Sequence, residues 1–470
     1  MTNHRDTIEQ QLFNDYNQYK EGYITHRKFR HLDLVKILDQ YEANDLFHIR
    51  KLGESIEGRS INLVKLGQGS LKILLWSQMH GDEATATMAL FDIFNFFHRS
   101  NDRFEAFKSE ILKKATLYFI PMLNPDGAER FQRRNAMEVD LNRDARNLMS
   151  PESQILKNIR DEINADFGFN LHDQDTHYTV GNTEKAAAIS FLAPPFNESN
   201  EINQVRERAM KVIGKLSKGI KEIIPGHVAK YSDEYESRAF GDNIQKWGTS
   251  TILIESGGYP GDPEKQFLRQ INFVTLLSAL NIISNGSYQE EPVKTYHDIP
   301  FNQKYLFDLL LRNVTLTNGS DQYKLDIGFN HDEVFIWESR ETFFRAKIED
   351  IGDLSGFYGY NELDTESMQV EIGKSFPKVF QNINQLTMVK VVQLLKEGFT
   401  SVLVEDCVDR EMINLPIFIY KDQKGHDTVK LESNPGLIVR QGSEVRYAIV
   451  NGFVYDLQEG KNNVKNGLVI

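Results

Sequence analysis

The chain has 470 residues, of which 40% are hydrophobic and 26% are charged, and its formal net charge is −13. A chain of this length can hold one large catalytic domain and a smaller second domain. Because the negative charge comes without blocks of Lys or Arg, the composition argues against nucleic acid and anionic membranes as partners.

The N-terminal segment, residues 1–50, is polar and carries apolar residues at a spacing typical of helices. These residues are Ile8, Leu12, Tyr16 and Tyr19. We expect a helical segment that packs on the catalytic domain.

The sequence contains no recognisable export signal. Its first residues lack the apolar region of a signal peptide, and no later apolar run approaches the length of about 18 residues that suits a membrane span. Cys407 is the single cysteine, so no disulfide can form within the chain. A reducing compartment, the cytoplasm, is therefore the expected location.

Short apolar runs alternate with helical stretches over residues 51–288, which we take as the catalytic domain. The strand candidates are residues 61–66, 71–76, 116–122, 167–171 and 251–255. Alternation of this kind predicts an α/β fold, with a mixed, mostly parallel sheet flanked by helices.

The most informative motif follows the second of these strands. Residues 71–76 deliver His80 at the carboxyl end of a buried strand, and Glu83 comes three residues later. His172 follows another predicted strand, so the three side chains can converge on one ion. Three protein ligands leave the fourth position open for water, which is typical of a catalytic zinc. We expect one Zn²⁺ per chain.

The composition changes after residues 285–292, a polar stretch that indicates a linker. Residues 296–470 are rich in short strands, with one helix predicted near residues 387–396. Asn451-Gly452 between two β-prone runs is a signal for a type I′ hairpin. We expect a β-rich C-terminal domain of unknown role.

Several other stretches accompany the three ligands in a fixed order. They are Gly53 to Ile61, Pro125-Asp126-Gly127, Asp140 to Arg143, and Glu255 at the end of a predicted strand. Together with the ligands they span about 200 residues. This ordered set resembles the zinc metallocarboxypeptidase family, as a divergent bacterial-type member with an extra C-terminal domain.

The resemblance implies a zinc-dependent metallopeptidase of the carboxypeptidase type. His80, Glu83 and His172 would hold the zinc. Glu255 would act as general base on a zinc-bound water that attacks a C-terminal amide bond. Arg133 would stabilise the oxyanion, and Arg134 is the alternative for that role.

The same resemblance suggests how the substrate is held. Asn142 and Arg143 would bind its free C-terminal carboxylate, for which a planar guanidinium is well suited. Asp140 would orient His80. A tyrosine that covers the substrate would be Tyr235 or Tyr231, and the neighbouring sequence favours Tyr235.

Two features set the chain apart from digestive members of this family, namely Asp82 between the first two ligands and the short span from Glu83 to His172. They leave the substrate open. The expected partner is a peptide or an N-acyl amino acid with a free carboxylate. The alternatives are an N-acyl-amino-acid deacylase or a peptidoglycan-peptide amidase on the same zinc site and, less favoured, a non-catalytic zinc-binding module.

Overall fold

The computed structural model describes residues 6–318, 321–337, 339, 341–407, 411–421 and 428–470. The chain divides into two compact units, Met1–Lys304 and Tyr305–Ile470. We expected the catalytic domain to end at residue 288 and the second domain to begin at residue 296. Residues 289–304 lie in the first unit, where the helix Val293–His297 packs and the strand Asn302–Gln303 pairs.

The first unit contains ten helices among its described residues: α1 (Ile8–Asp15), α2 (His31–Leu38), α3 (Thr85–His98), α4 (Glu105–Lys114), α5 (Pro125–Arg130), α6 (Pro151–Ile163), α7 (Gln204–Ile223), α8 (Phe240–Lys246), α9 (Gln266–Asn285) and α10 (Val293–His297). Its strands are β1 (His48–Glu54), β2 (Ser60–Leu66), β3 (Leu71–Ser77), β4 (Ala115–Ile120), β5 (Phe167–Asp173), β6 (Thr179–Val180), β7 (Ile189–Leu192), β8 (Val228–Lys230), β9 (Ser250–Ser256) and β10 (Asn302–Gln303). Single 3₁₀ turns span Tyr16–Gln18, Asp39–Tyr41, Leu141–Arg143 and Ser287–Glu290.

Eight of these strands form one mixed sheet in the order β1-β2-β4-β3-β5-β9-β7-β8. Its centre, from β4 through β3 and β5 to β9, is parallel. The outer pairs β1 with β2, β2 with β4, and β7 with β9 are antiparallel. The predicted fold class and all five predicted strands are confirmed.

Helices cover both faces of this sheet, and the side chains of the central strands alternate between two apolar cores. On β3, Ile73 and Leu75 pack in a core with α3, α7 and α9, whereas Leu74 and Trp76 pack in a core with α6 and α8. This alternation follows from the period of two in a strand. Both faces being covered explains why the central strands are continuous apolar runs.

The N-terminal segment is helical, as predicted, and packs on the large core through α1 and α2. A fully buried ion pair joins Arg269 of α9 to Asp92 of α3, and Tyr16 donates a hydrogen bond to the same carboxylate at 2.9 Å. Arg269 also donates to the backbone oxygens of Glu21 and Ile24. The N-terminal segment is therefore attached through charged hydrogen bonds as well as apolar contacts.

Helix α9 is long and apolar, although we expected no segment suited to crossing a membrane. By length and composition its 20 residues qualify, with a mean hydropathy of 1.3, but 83% of the apolar window is buried inside the protein. Asn272, Thr275 and Ser278 interrupt it in the sequence, so it does not appear as a continuous apolar run. It is a core helix between α3 and α7.

The second unit is rich in β-structure, as predicted. Its strands are β11 (Leu306–Asn318), β12 (Asp321–Ile336), β13 (Glu341–Gly352), β14 (Tyr358–Asp364), β15 (Gln369–Ile372), β16 (Lys374–Asn382), β17 (Phe399–Asp406), β18 (Met412–Ile413), β19 (Phe418–Tyr420), β20 (Leu437–Gln441), β21 (Glu444–Val450), β22 (Phe453–Asp456) and β23 (Gly467–Leu468). A 3₁₀ turn spans Ile383–Gln385, and α11 (Met388–Lys396) is the predicted helix.

The predicted hairpin joins β21 to β22, and both of its turn residues have positive φ, 52° at Asn451 and 66° at Gly452. Asn451 is fully buried. Its amide nitrogen donates to Phe344 O at 2.7 Å, and its amide oxygen accepts from Ala346 N at 2.8 Å. The turn residue thus satisfies backbone groups of β13, which ties the hairpin to a second sheet.

Replacing Asn451 with alanine is expected to destabilise the second unit by about 3 kcal/mol, because buried backbone groups lose their partners. Hydrogen exchange of peptides from β13 and β20 to β22 measures this loss. Asn384→Ala, at an exposed position of the same unit, is the control and should leave exchange unchanged. Equal exchange in both variants would contradict the role given to this side chain.

Candidate metal centre

The turn that carries the first two ligands is shaped by a close contact between two stretches of backbone. A Cβ on Gly81 would lie 2.0 Å from the carbonyl carbon of Gly127, and Gly81 N donates to Arg133 O at 3.3 Å. Only glycine leaves room for this approach. Gly81, which directly follows His80, therefore fixes the turn against the segment that begins α5.

The three predicted ligands come together in the structure. His80 Nδ1 lies 2.7 Å from Glu83 Oε1, and His172 Nδ1 lies 2.6 Å from Glu83 Oε2. One ligand atom from each residue lies within 4.8 Å of the others, and all three residues are buried. Burial alone would raise the pKa of the Glu83 carboxyl, but the two imidazoles hold it well below its usual range.

Asp140 and Arg133 surround His80. Asp140 Oδ1 lies 3.0 Å from His80 Nε2, and Asp140 Oδ2 accepts from Arg133 Nε at 3.1 Å. With its Nε2 proton directed to Asp140, the imidazole of His80 presents the lone pair of Nδ1 to the centre. Arg133 Nη1 lies 3.3 Å from Glu83 Oε1. Arg134 instead donates to the backbone oxygen of Glu138.

Two of the accompanying motifs meet at Asp126, which is fully buried at the start of α5. Its carboxylate accepts from Ser55 Oγ at 2.7 Å, from Glu57 N at 3.0 Å and from Arg59 Nη1 at 2.7 Å. The β1–β2 turn is thereby attached to the segment against which the His80 turn packs. These motif residues build the support of the centre and do not contact the ligands.

Glu255 lies at the end of β9 as the register partner of His172 on β5. The two residues face the same side of the sheet as Trp76 and Asn170, at its carboxyl edge. Glu255 is buried, with 8% of its surface exposed. Burial and the neighbouring charge of Glu83 raise the pKa of the Glu255 carboxyl well above its usual value.

Asn142 and Arg143 follow Asp140 in a 3₁₀ turn, but neither contacts the ligands. Asn142 Oδ1 accepts from Phe240 N at 2.9 Å, which positions the start of α8. The Arg143 side chain is 39% exposed, and its Nε lies 3.2 Å from Glu236 Oε2. Its guanidinium is therefore available to an anion that enters from solvent.

The structure separates the two candidate tyrosines. Burial, followed by the charge of Glu255, raises the pKa of the Tyr231 hydroxyl, and Tyr231 directly follows β8, which lies two strands from β9 in the sheet. Tyr235 lines a cavity of about 610 Å³ with Phe196, Glu198 and Lys246, away from the ligands. The spacing of the motifs gave no reason to prefer Tyr231 to Tyr235. The signal for Tyr231 in the sequence is the short strand segment of β8 that directly precedes it.

The donor set fits a zinc ion. Two imidazole nitrogens and one carboxylate are common catalytic zinc ligands, and a carboxylate on the far nitrogen of a ligating histidine is a common support. The same residues with Glu255 and Arg133 can bind and polarise a carbonyl group and move a proton. His172 Nε2 is buried with no hydrogen-bond partner among the described residues.

Part of the first unit matches the sequence model of a known protein family. Residues 34–162 match the sequence model of the family described as zinc carboxypeptidase. The resemblance drawn from the motifs is thereby confirmed for this part of the chain. The matched residues include His80, Glu83, Arg133 and Asp140.

Individual relatives are distant. An uncharacterized protein of Zymomonas mobilis is 30% identical over 128 residues, which cover 26% of this chain and 33% of that protein, so the match spans about a third of the relative's length. Among solved structures, a metallo-carboxypeptidase from Burkholderia cenocepacia aligns with 55% of this chain and 70% of its own, at 17% identity and a TM-score of 0.43. Carboxypeptidase A from Helicoverpa armigera aligns with 60% and 80%, at 14% identity and a TM-score of 0.45.

Proposed function

From the similarity of residues 34–162 to zinc carboxypeptidases, we propose that this chain is a zinc-dependent metallocarboxypeptidase. It hydrolyses the C-terminal amide bond of a peptide or peptide-like substrate. The observation that carries the proposal is the convergence of His80, Glu83 and His172 within 4.8 Å. One zinc per chain and a cytoplasmic location are part of the proposal.

His80 and His172, through their Nδ1 atoms, and Glu83, through its carboxylate, would hold the zinc. When bound, a zinc ion acidifies water and polarises a carbonyl group. Asp140 keeps a proton on His80 Nε2 and so fixes the orientation of that imidazole. Three protein ligands would leave a position for water.

Glu255 takes a proton from the attacking water and later donates it to the nitrogen of the leaving amine. Its buried position supports this role, because a carboxylate in an apolar site is a stronger base than one in water. The direction of the pKa shift, upward through burial and the charge of Glu83, agrees with a group that holds a proton in one step and releases it in the next.

Arg133→Ala is expected to lower kcat by about a hundredfold while zinc stays bound. A guanidinium beside the carbonyl oxygen stabilises the charge that develops in the transition state, which is worth roughly 3 kcal/mol. Steady-state kinetics together with zinc content of the purified variant measure the effect.

The matched control for this variant is Arg134→Ala, since Arg134 is adjacent in sequence and binds backbone away from the ligands. It should retain wild-type kcat. A loss confined to Arg134→Ala would transfer the role to that residue.

Arg143 and Asn142 bind the free carboxylate of the substrate. The Arg143 guanidinium is partly exposed and pairs with Glu236. An entering carboxylate competes with Glu236 for this guanidinium, which is already oriented. Tyr235 is the tyrosine that we predicted to cover the substrate. Tyr231 is the other candidate, since burial and then the charge of Glu255 raise the pKa of its hydroxyl.

The experiment that tests the function compares four substrate sets: N-blocked dipeptides with a free carboxylate, the corresponding C-terminal amides, N-acyl amino acids, and peptidoglycan peptides. Hydrolysis of the first set alone, abolished by a chelator and restored by Zn²⁺, supports the carboxypeptidase. Preference for N-acyl amino acids indicates a deacylase, and cleavage of peptidoglycan peptides alone indicates an amidase. Zinc binding without turnover on any set indicates a non-catalytic module.

A further inference from the structure

A buried lysine lies behind the metal centre. Lys265 directly precedes α9 and is 4% exposed. Its Nζ lies 3.2 Å from Asp173 Oδ2 and 3.2 Å from the backbone oxygen of Ser256. Asp173 follows His172, and Ser256 follows Glu255. One ammonium group therefore contacts both residues that come directly after a metal ligand and the proposed base.

Asp173 also connects this ammonium to the segment that carries Glu83. Its Oδ2 accepts a hydrogen bond from Thr85 Oγ1 at 2.6 Å, and Thr85 begins α3 two residues after Glu83. The backbone nitrogen of Asp173 donates to Glu83 Oε2 at 3.2 Å. The Asp173 carboxylate is thus held between Thr85 and Lys265, while its backbone contacts a ligand.

Lys265 makes these contacts at the ends of β5 and β9. Asp173 and Ser256 are the last register partners of β5 and β9. One further hydrogen bond, from Gln174 N to Ser256 O at 3.0 Å, continues this pairing, while Gly257 N donates to Ala188 O on the other side of β9. Lys265 thus contacts both strands at their last register pair, one residue beyond His172 and Glu255.

The backbone of Lys265 is left-handed, with φ 50° and ψ 31°. A side chain with a Cβ is strained in this region. Asp262 holds the segment in place, since its carboxylate accepts from Gln266 N at 2.7 Å and from Leu268 N at 3.0 Å. The strained conformation directs the lysine back to the ends of the two strands.

We propose that Lys265 is a positioning residue, whose ammonium holds the ends of β5 and β9 so that His172 and Glu255 keep the separation that the reaction requires. This inference rests on the proposed function for its kinetic readout. A simpler reading is a buried ion pair that only stabilises the fold.

The chain offers a matched control for the simpler reading. Lys108 is similarly buried, at 5% exposure, and its Nζ also contacts a carboxylate oxygen, Asp102 Oδ2, and a backbone oxygen, that of Arg99, with the more exposed Glu105 Oε1 at 3.7 Å. It lies on α4, and no contact connects it to the ligands among the described residues. Lys108→Met removes the same kind of buried pair without touching the strand ends.

The experiment compares Lys265→Met and Lys108→Met in the full chain by kcat, KM, Tm and the Zn²⁺ affinity of the metal-free protein, the last by competition with a chelator. We expect both variants to lose Tm. Only Lys265→Met should lose kcat or Zn²⁺ affinity by about tenfold to a hundredfold, which is the usual effect of losing a group that orients a ligand. KM should stay within about twofold, because substrate contacts are unchanged.

Lys265→Met with wild-type kcat and wild-type Zn²⁺ affinity would overturn the proposal. If this variant does not fold, the double variant Lys265→Met with Asp173→Asn replaces it, because it leaves no unpaired buried carboxylate. A tenfold loss of kcat or Zn²⁺ affinity in the double variant supports positioning, and full kcat and affinity overturn it.

The two proposals fail in different ways. A wild-type chain that hydrolyses no substrate in the panel contradicts the proposed function, and the Zn²⁺ affinity of the two lysine variants then decides the role of Lys265. A hydrolytic wild type with an unaffected Lys265→Met variant contradicts the role of Lys265 alone.

Discussion

Replacing Glu255 with glutamine is expected to lower kcat by about a thousandfold while KM and zinc content stay close to wild type. A positioned general base contributes about 10²–10⁴ to the rate, and glutamine keeps the size of the side chain but cannot accept the proton. Zinc stays bound because Glu255 is not one of the three ligands. The measurement is kcat with a free-carboxylate substrate, beside the zinc content of the same preparation.

The matched control is Glu152→Gln on α6. Glu152 is fully buried, and its carboxylate accepts from Ile56 N and Asn135 Nδ2 in place of facing the centre. This control should keep wild-type kcat, which separates loss of a base from loss of a buried charge. Turnover of Glu255→Gln within about tenfold of wild type would rule out the proposed proton transfer.

Arg143→Met should lower kcat/KM for free-carboxylate substrates by about a thousandfold. Losing one partner of a hydrogen-bonded charge pair costs about 2–5 kcal/mol, of which every 1.4 kcal/mol is tenfold. The variant should also lose its preference for a free carboxylate over the C-terminal amide. Kinetics on both substrate forms measure this change.

Arg238→Met is the control for this variant, because Arg238 binds the same Glu236 carboxylate at 2.9 Å and is 55% exposed. It removes a comparable surface ion pair and should leave the carboxylate preference intact. A wild-type preference in Arg143→Met would remove this residue from substrate binding and favour the deacylase or amidase alternatives.

The sheet and its ligands were predictable because the signals are local. β3, β5 and β9 are apolar runs buried on both faces, and each ends one to three residues from a ligand or the proposed base. Parallel strands bring their carboxyl ends to one edge, so the order of the motifs implied the convergence of His80, His172 and Glu255. The hairpin at Asn451 followed from the two residues of its turn.

Other features depend on contacts that leave no sequence pattern. β1 is largely exposed, and β7 and β8 have only four and three residues, so no periodicity marks them. Lys265 contacts the ends of β5 and β9 from a loop that is held by the carboxylate of Asp262. α10 and β10 are short and polar, and only their packing assigns them to the first unit.

The contact between Gly81 and Gly127 also limits how this centre can change. A junction of main chain against main chain has no side chain that can be trimmed or enlarged, so its spacing cannot be adjusted in small steps by point substitution. Substitutions that change activity while the ligands stay aligned are therefore expected at side chains around the centre, such as Asp82 and Arg143. A substitution at Gly81 or Gly127 would instead disrupt the alignment of the ligands.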